Sequence, residues 1–390
     1  MKHRIVVLGA GYAGAHAAGR LARRLHPGDV EITLVNADPD FVERVRLHQV
    51  AAGQDLRHRP LADVYRGTSV TVRVSRVTAV DVGRRTVDLV DGEIGYDTLV
   101  YALGSTAAVH GVPGVAEHAY HLASRPAALR LRERLSELAE GASVLVAGGG
   151  LTAVEAATEI AESRPDLDVA IAARDGVGDW LSDKARRHLR DVLDRLGIRV
   201  HEHTGIVRVD EDGVATGGGE RIPATVTVWA AGFTTHPIAA ATALEVDGTG
   251  RIVVDATMRS VSHPDVYAVG DAAVAGGVGG KPLRMSCASG IPMGWQAADA
   301  IAARLTGRKV PAKPIPYVTQ CISLGRRDGI VQLVTPDDRA RSSAVTGRMA
   351  ARIKEFVCAG AGWSIAHPTV LLPSRRRRVV PAGRSPLPTT

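Results

Sequence analysis

The chain opens on a short apolar run, Ile5 to Leu8, that meets Gly9-Ala10-Gly11-Tyr12-Ala13-Gly14 without a spacer. A helical stretch, Ala15 to Leu25, and a second apolar strand, Glu31 to Val35, follow. Strand, glycine turn, helix and strand within about thirty residues predict a βαβ unit with a parallel sheet. The pattern recurs at Ser143 to Ala147, Gly148-Gly149-Gly150, a helix from about Leu151 to Glu162, and the strand Val169 to Ala172. Each unit ends on a similar signal: Tyr96 to Gly104 in the first, Thr225 to Gly232 in the second, both strands that finish on a small residue and glycine. Between them, Val70 to Val90 alternates as a β-meander does, with a turn bracketed by Gly92 and Gly95.

A third signal has no counterpart. His263 to Val269 reads as a buried strand that delivers Gly270-Asp271 at its end, before a helix from about Met293 to Leu305. Pro311 to Pro316 marks a junction. Beyond it come strands Tyr317 to Leu324 and Ile330 to Val334, a helix from about Thr346 to Val357, and a basic end, Arg375 to Thr390, expected to be flexible.

Composition narrows the class. A chain of 390 residues suggests two or three domains, and 45% hydrophobic with 23% charged residues is ordinary for a soluble globular protein. The net charge of +7 comes mainly from arginine spread along the chain. An Arg-rich, Ala-rich bias explains it more simply than nucleic-acid binding, for which no recognition motif is visible, so no nucleic-acid partner is expected. Cys287, Cys321 and Cys358 are too few for a disulfide framework and too far apart in sequence for a CxxC pair. Met1 to Arg4 runs straight into a strand, which reads as cytoplasmic, and no run of eighteen apolar residues is present to span a bilayer. No metal-ligand set is visible.

The chemistry lies in the glycine turns. Gly9 permits the bend, Gly11 lets backbone approach a pyrophosphate, and Gly14 lets helix pack on strand, while free N–H groups of the helix start face the phosphates. The ribose-reading position at the end of the second strand is Asn36, which hydrogen-bonds a hydroxyl without charge assistance; Asp38 is the alternative partner or a turn residue. In the second turn Gly148 and Gly150 take the same places, Leu151 starts the helix and Ala153 replaces the third glycine. Its ribose position is Ala173 followed by Arg174. A small residue plus arginine suits a 2′-phosphate and tilts the donor towards NADPH. Arg174 also reads as a solvated charge, and Asp175 beside it repels phosphate. Glu155, on the first turn of the second helix, is either a helix-dipole carboxylate or a catalytic group near the nicotinamide or flavin. Arg44, Arg46 and His48 form a basic cluster that reaches a pyrophosphate or faces solvent; Arg44 is the one assigned to the cofactor.

These motifs, in the order glycine turn, Ala102-Leu103-Gly104, glycine turn, Ala230-Ala231-Gly232 and Tyr267-Ala268-Val269-Gly270-Asp271, resemble the FAD/NAD(P) oxidoreductases with two dinucleotide-binding domains, of the pyridine nucleotide-disulfide oxidoreductase fold. The similarity is strongest to the type II NADH dehydrogenase-like branch and reaches Cys321 to Gly329 in the tail. It implies an α/β fold of the glutathione reductase-like type, with two Rossmann-like domains and a small C-terminal α+β region. An FAD domain in two parts, 1–120 and 239–312, would flank an NAD(P) domain, 121–238, ahead of a C-terminal region, 313–390. It also implies FAD contacts from Gly9, Gly11, Tyr12, Ala13, Gly14, Asn36, Arg44, Val77 (at the adenine), Ala102, Gly104, Gly270 and Asp271 (at a ribityl hydroxyl). NAD(P)H contacts are implied from Gly148, Gly150, Leu151, Ala153, Glu155, Arg174, Ala231 and Gly232.

Two departures shape the expectation. There is no cysteine pair near Phe41 to His48, so the flavin is read as the only redox centre. Where quinone reducers carry an Ala-Gln motif, this chain has Met285-Ser286-Cys287-Ala288-Ser289-Gly290-Ile291-Pro292; Cys287 there is read as packing ahead of chemistry. The expected activity passes hydride from NAD(P)H to flavin and electrons to a small-molecule acceptor such as a quinone. The alternatives are a soluble reductase of a small carrier or metabolite and a slow redox-sensing binding protein. The helix Thr346 to Val357 leaves a peripheral membrane contact open, against packing on the FAD domain, and a homodimer is also left open.

Overall fold

The computed structural model describes residues 1–369 and 375–380. Two five-stranded parallel sheets carry the fold. In the first the strands run in the order Val266–Ala268, Thr98–Tyr101, His3–Leu8, Val30–Asn36, Val70–Val74. Leu8 stands level with Val35 on one side and Tyr101 on the other. In the second the order is Arg199–His201, Asp168–Ala172, Ser143–Ala147, Val226–Trp229, Ala119–His121, and Ala147 lies between Ala172 and Trp229. Each central strand is thus the point where chain order reverses, and its carboxyl end opens a crevice. The fully buried Ile5 to Leu8 and Val144 to Ala147 explain the unbroken apolar runs, since both faces of these strands are covered.

Four helices position the site. Helix α1 (Tyr12–Arg24) and helix α2 (Leu151–Ser163) leave the two glycine turns. Helix α3 (Cys287–Leu305) packs on α1, and helix α4 (Gly347–Ser364) covers a C-terminal antiparallel sheet of Thr319–Ser323, Gly329–Val334 and Ala340–Thr346. The two halves are joined by a two-stranded antiparallel ribbon, Ser105–Ala107 against Phe233–Thr235.

Several expectations change. Val70–Val74 is not part of a meander: it joins the first parallel sheet beside Val30–Asn36, and only Val77–Asp81, Thr86–Leu89 and Gly92–Gly95 form the antiparallel unit. Helix α3 starts at Cys287 rather than near Met293, because Pro292 lies early enough in the helix to remove a single hydrogen bond. The strand Ala340–Thr346 has too weak an alternation to have been read. The basic end is seated over residues 375–380. His26 N–H donates to Arg377 O at 2.8 Å, Arg377 N–H to Arg24 O at 2.9 Å, and Arg378 pairs with Asp29 at 2.8 Å. Residues 381–390 lie outside the described residues.

Candidate functional site

The two turns repeat one another in detail. Gly9 has φ +93°, and a Cβ there would stand 2.4 Å from Ala102 O. Gly148 has φ +133°, and its Cβ would stand 2.5 Å from Ala230 O. Each first glycine is pressed against the carbonyl that ends the neighbouring strand, so only glycine fits. Gly11 and Gly150 have nothing within 4 Å of a built Cβ; their free faces look into open space where a ligand's backbone can approach. Gly14 is the packing glycine, its Cβ position 1.9 Å from Gly9 O, and fully buried Ala153 takes that place in the second turn.

The longer helices start in two ways, and α4, uncapped at Thr346, is the uncapped one whose start lines neither cavity. Helices Arg125–Ser136 and Asp183–Arg195 are capped by Ser124 and Ser182, whose hydroxyls accept from Ala127 and Ala185 N–H. Helices α1, α2 and α3 begin at Gly11, Gly150 and Ser286 with no side-chain cap. Three sets of unclaimed N–H groups therefore converge on one region, which suits anionic or electron-rich ligand groups.

The region is a pair of joined cavities. One is lined by Gly11, Tyr12, Ala13, Arg44, Ala102, Gly104, Gly270 and Asp271. The other, about 820 Å³, is lined by Gly148, Gly150, Arg174, Ala231 and Gly232. Leu151, Thr152, Phe233, Arg284, Met285 and Ser286 line both. Gly9, Gly14 and Ala153 shape these walls from behind. Val77 is buried at the start of the antiparallel unit, opposite Leu89, and does not line the cavity. Asn36 holds the turn itself: its Oδ1 accepts from Ala10 N–H at 2.8 Å and its amide donates to Asp38 O at 2.7 Å.

Of the basic cluster, the three members part ways. Arg44 Nη2 donates to Ser105 Oγ at 3.3 Å, and Ser105 in turn donates to Asp271 Oδ2 at 2.6 Å. Burial works against the Arg44 charge and Asp271 supports it. Among the described residues no carboxylate pairs with it directly, so it offers a cation to the cavity. Arg46 instead pairs with Glu43 at 3.1 Å and Glu355 at 2.6 Å. His48 is buried beside Glu155 and Glu159, 4.0 Å from an oxygen of each.

Glu155 is more than a dipole carboxylate. Lys354 Nζ sits 2.9 Å from its Oε1, and Ser323 donates to the same oxygen from both N–H and Oγ at 3.1 Å. Burial alone would raise this carboxyl, but Lys354, then His48 and Ser323, hold it below the ordinary glutamate range. Lys354 was not singled out in the sequence because its helix looked amphipathic. Its four-residue spacing from buried Ala350 and Cys358 is the signal that places it inward. Arg284, also unread, lies 4.6 Å over the Tyr317 ring and pairs with Asp338.

The three cysteines, far apart in sequence, all line the first cavity and are unpaired. Burial raises each thiol above its usual pKa, Cys358 to about 11, so none is a ready thiolate at neutral pH. The Tyr12 hydroxyl is buried there without a hydrogen-bond partner. Uncapped helix starts, a pocket cation and an orphan hydroxyl fit bound dinucleotides.

The comparisons agree with this architecture. Residues 3–302 match the pyridine nucleotide-disulphide oxidoreductase family, and the chain belongs to it. An NADH dehydrogenase-like protein of Mycobacterium tuberculosis is 31% identical over 347 residues, covering 83% of this chain and 86% of its own. A type II NADH:quinone oxidoreductase of Staphylococcus haemolyticus is 25% identical over 390 residues, covering 91% and 94%. In fold, the chain superposes on NDH2 from Plasmodium falciparum in complex with NADH with TM-score 0.79 at 13% identity, over 94% of this chain and 97% of that one. The sulfide:quinone oxidoreductase of Aquifex aeolicus gives 0.77 at 19%, over 94% and 92%.

Proposed function

We propose that the protein is an FAD-dependent NADH dehydrogenase that delivers electrons to a quinone-class acceptor. The observation that carries this reading is the shared wall of Leu151, Thr152, Phe233, Arg284, Met285 and Ser286, through which the two glycine-turn cavities meet. The first cavity is the FAD site, formed mainly by segments 1–120 and 239–312 with a further wall from the C-terminal region, and the second, mainly within 121–238, takes the nicotinamide dinucleotide. FAD supplies two-electron chemistry between donor and acceptor. The protein's part is placement. The starts of α1 and α2 hold the pyrophosphates, Arg44 neutralises the flavin's, Asp271 takes a ribityl hydroxyl with its remaining lone pairs, and the start of α3 offers N–H groups to the ring. Arg44→Met is expected to weaken FAD retention roughly tenfold or more, the range of one charge-assisted hydrogen bond, as read by flavin release on dilution.

NADH is the donor we assign. Arg174 is strongly exposed and lies 3.5 Å from Asp175, so its charge is largely balanced where a 2′-phosphate would sit. Asp175→Asn is expected to raise kcat/KM for NADPH roughly threefold at low salt with little change for NADH. The deciding experiment is anaerobic reduction of the purified protein with each nicotinamide, then reoxidation by a panel of acceptors. Failure of NADH to bleach bound flavin would remove the reading.

A quinone acceptor is supported by the position of α4. Val357, Cys358 and Ala361 line the first cavity, while Met349, Phe356 and Trp363, seven residues apart, form an exposed stripe with Phe356 79% exposed. Arg348 and Arg352 stand beside it at the mouth of a neighbouring basic pocket. An apolar ridge with a basic flank suits an anionic bilayer surface, where a lipid-soluble acceptor resides. Among the described residues no helix is long and apolar enough to cross a membrane. The soluble-reductase reading rests on Ser286-Cys287-Ala288 in place of the Ala-Gln motif, and rapid turnover with a protein carrier but not a quinone would favour it.

A further inference from the structure

Outside the two cofactor cavities lies a hollow whose charge is unbalanced. It measures about 420 Å³ and draws its walls from the first half of α4 and from residues 323–327 of the C-terminal sheet and its first turn. Arg326, Arg327, Arg348, Arg352 and Lys354 line it, against one carboxylate, Glu355. Two of these cations are already matched. Lys354 pairs with Glu155 at 2.9 Å, and Arg326 shares Glu355 with Arg46, at 3.4 and 2.6 Å. Arg327, Arg348 and Arg352 are not. Among the described residues no carboxylate oxygen lies within 4.0 Å of their guanidinium groups, and none of the three donates a side-chain hydrogen bond. Segments 370–374 and 381–390 contain no aspartate or glutamate to supply a partner.

This grouping works against the fold. Arg348 and Arg352 stand four residues apart on one face of α4, a spacing at which like charges repel. Arg348 also lies in the first turn, at the positive end of the helix dipole, where a carboxylate is favoured and an arginine is not. The helix Asp183–Arg195 follows that rule, with Asp183 in its first turn and Arg195 in its last. Charges that cost the folded protein stability, yet surround one hollow, are the mark of a site that recruits an anion. The guanidinium fork matches phosphate oxygens in particular, through paired charge-assisted hydrogen bonds. The surface beside the hollow is apolar: Phe356, one turn beyond Arg352, is 79% exposed, and Met349 and Trp363 continue the stripe.

We propose that this hollow is an anion site, distinct from both cofactor cavities, that takes a phosphate group between Arg327, Arg348 and Arg352. The phosphate is either free in solution or the headgroup of an anionic lipid whose chains lie along the neighbouring stripe. Lys354 and Cys358 line both the hollow and the first cavity, so the ligand sits directly behind the C-terminal wall of that cavity. The site goes beyond the oxidoreductase reading and does not depend on it.

The test titrates sodium pyrophosphate into the purified full chain by calorimetry at low salt. In parallel, the chain is sedimented with vesicles of phosphatidylglycerol or of phosphatidylcholine, whose choline cation cancels the phosphate charge. Wild type is expected to bind pyrophosphate, phosphatidylglycerol or both, and to release them as sodium chloride screens the charges. Pyrophosphate alone identifies a soluble ligand, and phosphatidylglycerol alone a lipid headgroup. In Arg348→Gln/Arg352→Gln the affinity should fall roughly tenfold or more, the range of losing two charge-assisted hydrogen bonds. Arg23→Gln/Arg130→Gln removes two exposed arginines from other helices and should bind as wild type does. Without ligand, Arg348→Gln/Arg352→Gln should melt no lower than wild type, because it relieves repulsion and breaks no bond. Absence of binding in wild type, equal losses in the two double variants, or a ligand-free pocket variant less stable than wild type would each overturn the proposal. So would pyrophosphate binding that survives in Arg348→Gln/Arg352→Gln, since it then belongs to the cofactor cradles. Equal capture by the two lipids, or capture that persists in that variant but is lost in Phe356→Ser, would assign the surface to the apolar stripe and sink the site. No arm measures turnover, so failure of the enzymatic reading leaves these results untouched.

Discussion

Replacing Lys354 by methionine is expected to lower the unfolding free energy by about 3–5 kcal/mol, the range found when one member of a buried ion pair is removed. The stem of lysine and that of methionine fill similar space, so the loss comes from the carboxylate left behind. Glu155 would keep the two Ser323 donors at 3.1 Å but lose the Lys354 ammonium that contacts it. Its pKa, now held below the ordinary range, would rise, because burial is the largest influence on it and acts upward. The sign of the pH dependence follows. A depressed folded pKa contributes stability above the unfolded glutamate range and loses it as pH falls through the folded value. In Lys354→Met that contribution is gone, and the variant should be most impaired at neutral and alkaline pH, where Glu155 must ionise without a partner. Urea titrations at pH 5 and pH 8 measure the difference. Adding Glu155→Gln should restore most of the stability, since a neutral pair needs no counter-charge. A Lys354→Met protein equally stable at both pH values, or a double variant no better than the single, would show that the pair is not the buried, coupled unit described here.

Gly9→Ala and Gly148→Ala are expected to separate the two cradles. Alanine at Gly9 must adopt φ +93° and place its Cβ 2.4 Å from the Ala102 carbonyl, so the turn has to move. The purified protein should emerge nearly colourless, with flavin affinity down by roughly a hundredfold, the equivalent of two tenfold steps of about 1.4 kcal/mol. Gly148→Ala strains the second turn in the same way, 2.5 Å from Ala230 O, yet leaves the first intact. That variant should remain yellow and be reduced by dithionite but only very slowly by NADH. Absorbance of bound flavin and the rate of anaerobic bleaching read the two effects separately. A Gly9→Ala protein that keeps its flavin, or a Gly148→Ala protein bleached by NADH at the wild-type rate, would assign the cradles wrongly.

What the sequence made legible is what local rules determine. Glycine at a bend with positive φ, an apolar run covered on both faces and a small residue where helix meets strand all announce themselves within ten residues, which is why both turns and both central strands were readable. The joining of the cavities was not, since it depends on Leu151 and Phe233 of one half meeting Met285 and Ser286 of the other across long stretches of chain. Asn36 ends its strand at the position expected to face a ribose, and its amide also ties the turn together through Ala10 and Asp38, bonds that no local pattern announces. Lys354 runs against its local pattern. Its charge drew it to the polar side of an amphipathic pattern, whereas a buried carboxylate from a distant helix makes the inward direction favourable. Residues 375–380 looked like a free basic end because nothing local constrains them; Asp29, at the start of the second strand, supplies the anchor.

The ribbon of Ser105–Ala107 against Phe233–Thr235 begins one residue after Gly104 and one after Gly232. Its first residue, Ser105, also grips Asp271 and Arg44. The halves are therefore stitched together beside the cavities that Gly104, Gly232 and Phe233 line, with almost no slack between stitch and seam. Swinging one half away from the other would tear out that stitch first. Under the proposed function, donor and product would exchange along the mouth of the second cavity, with the ribbon holding the spacing between the two cavities.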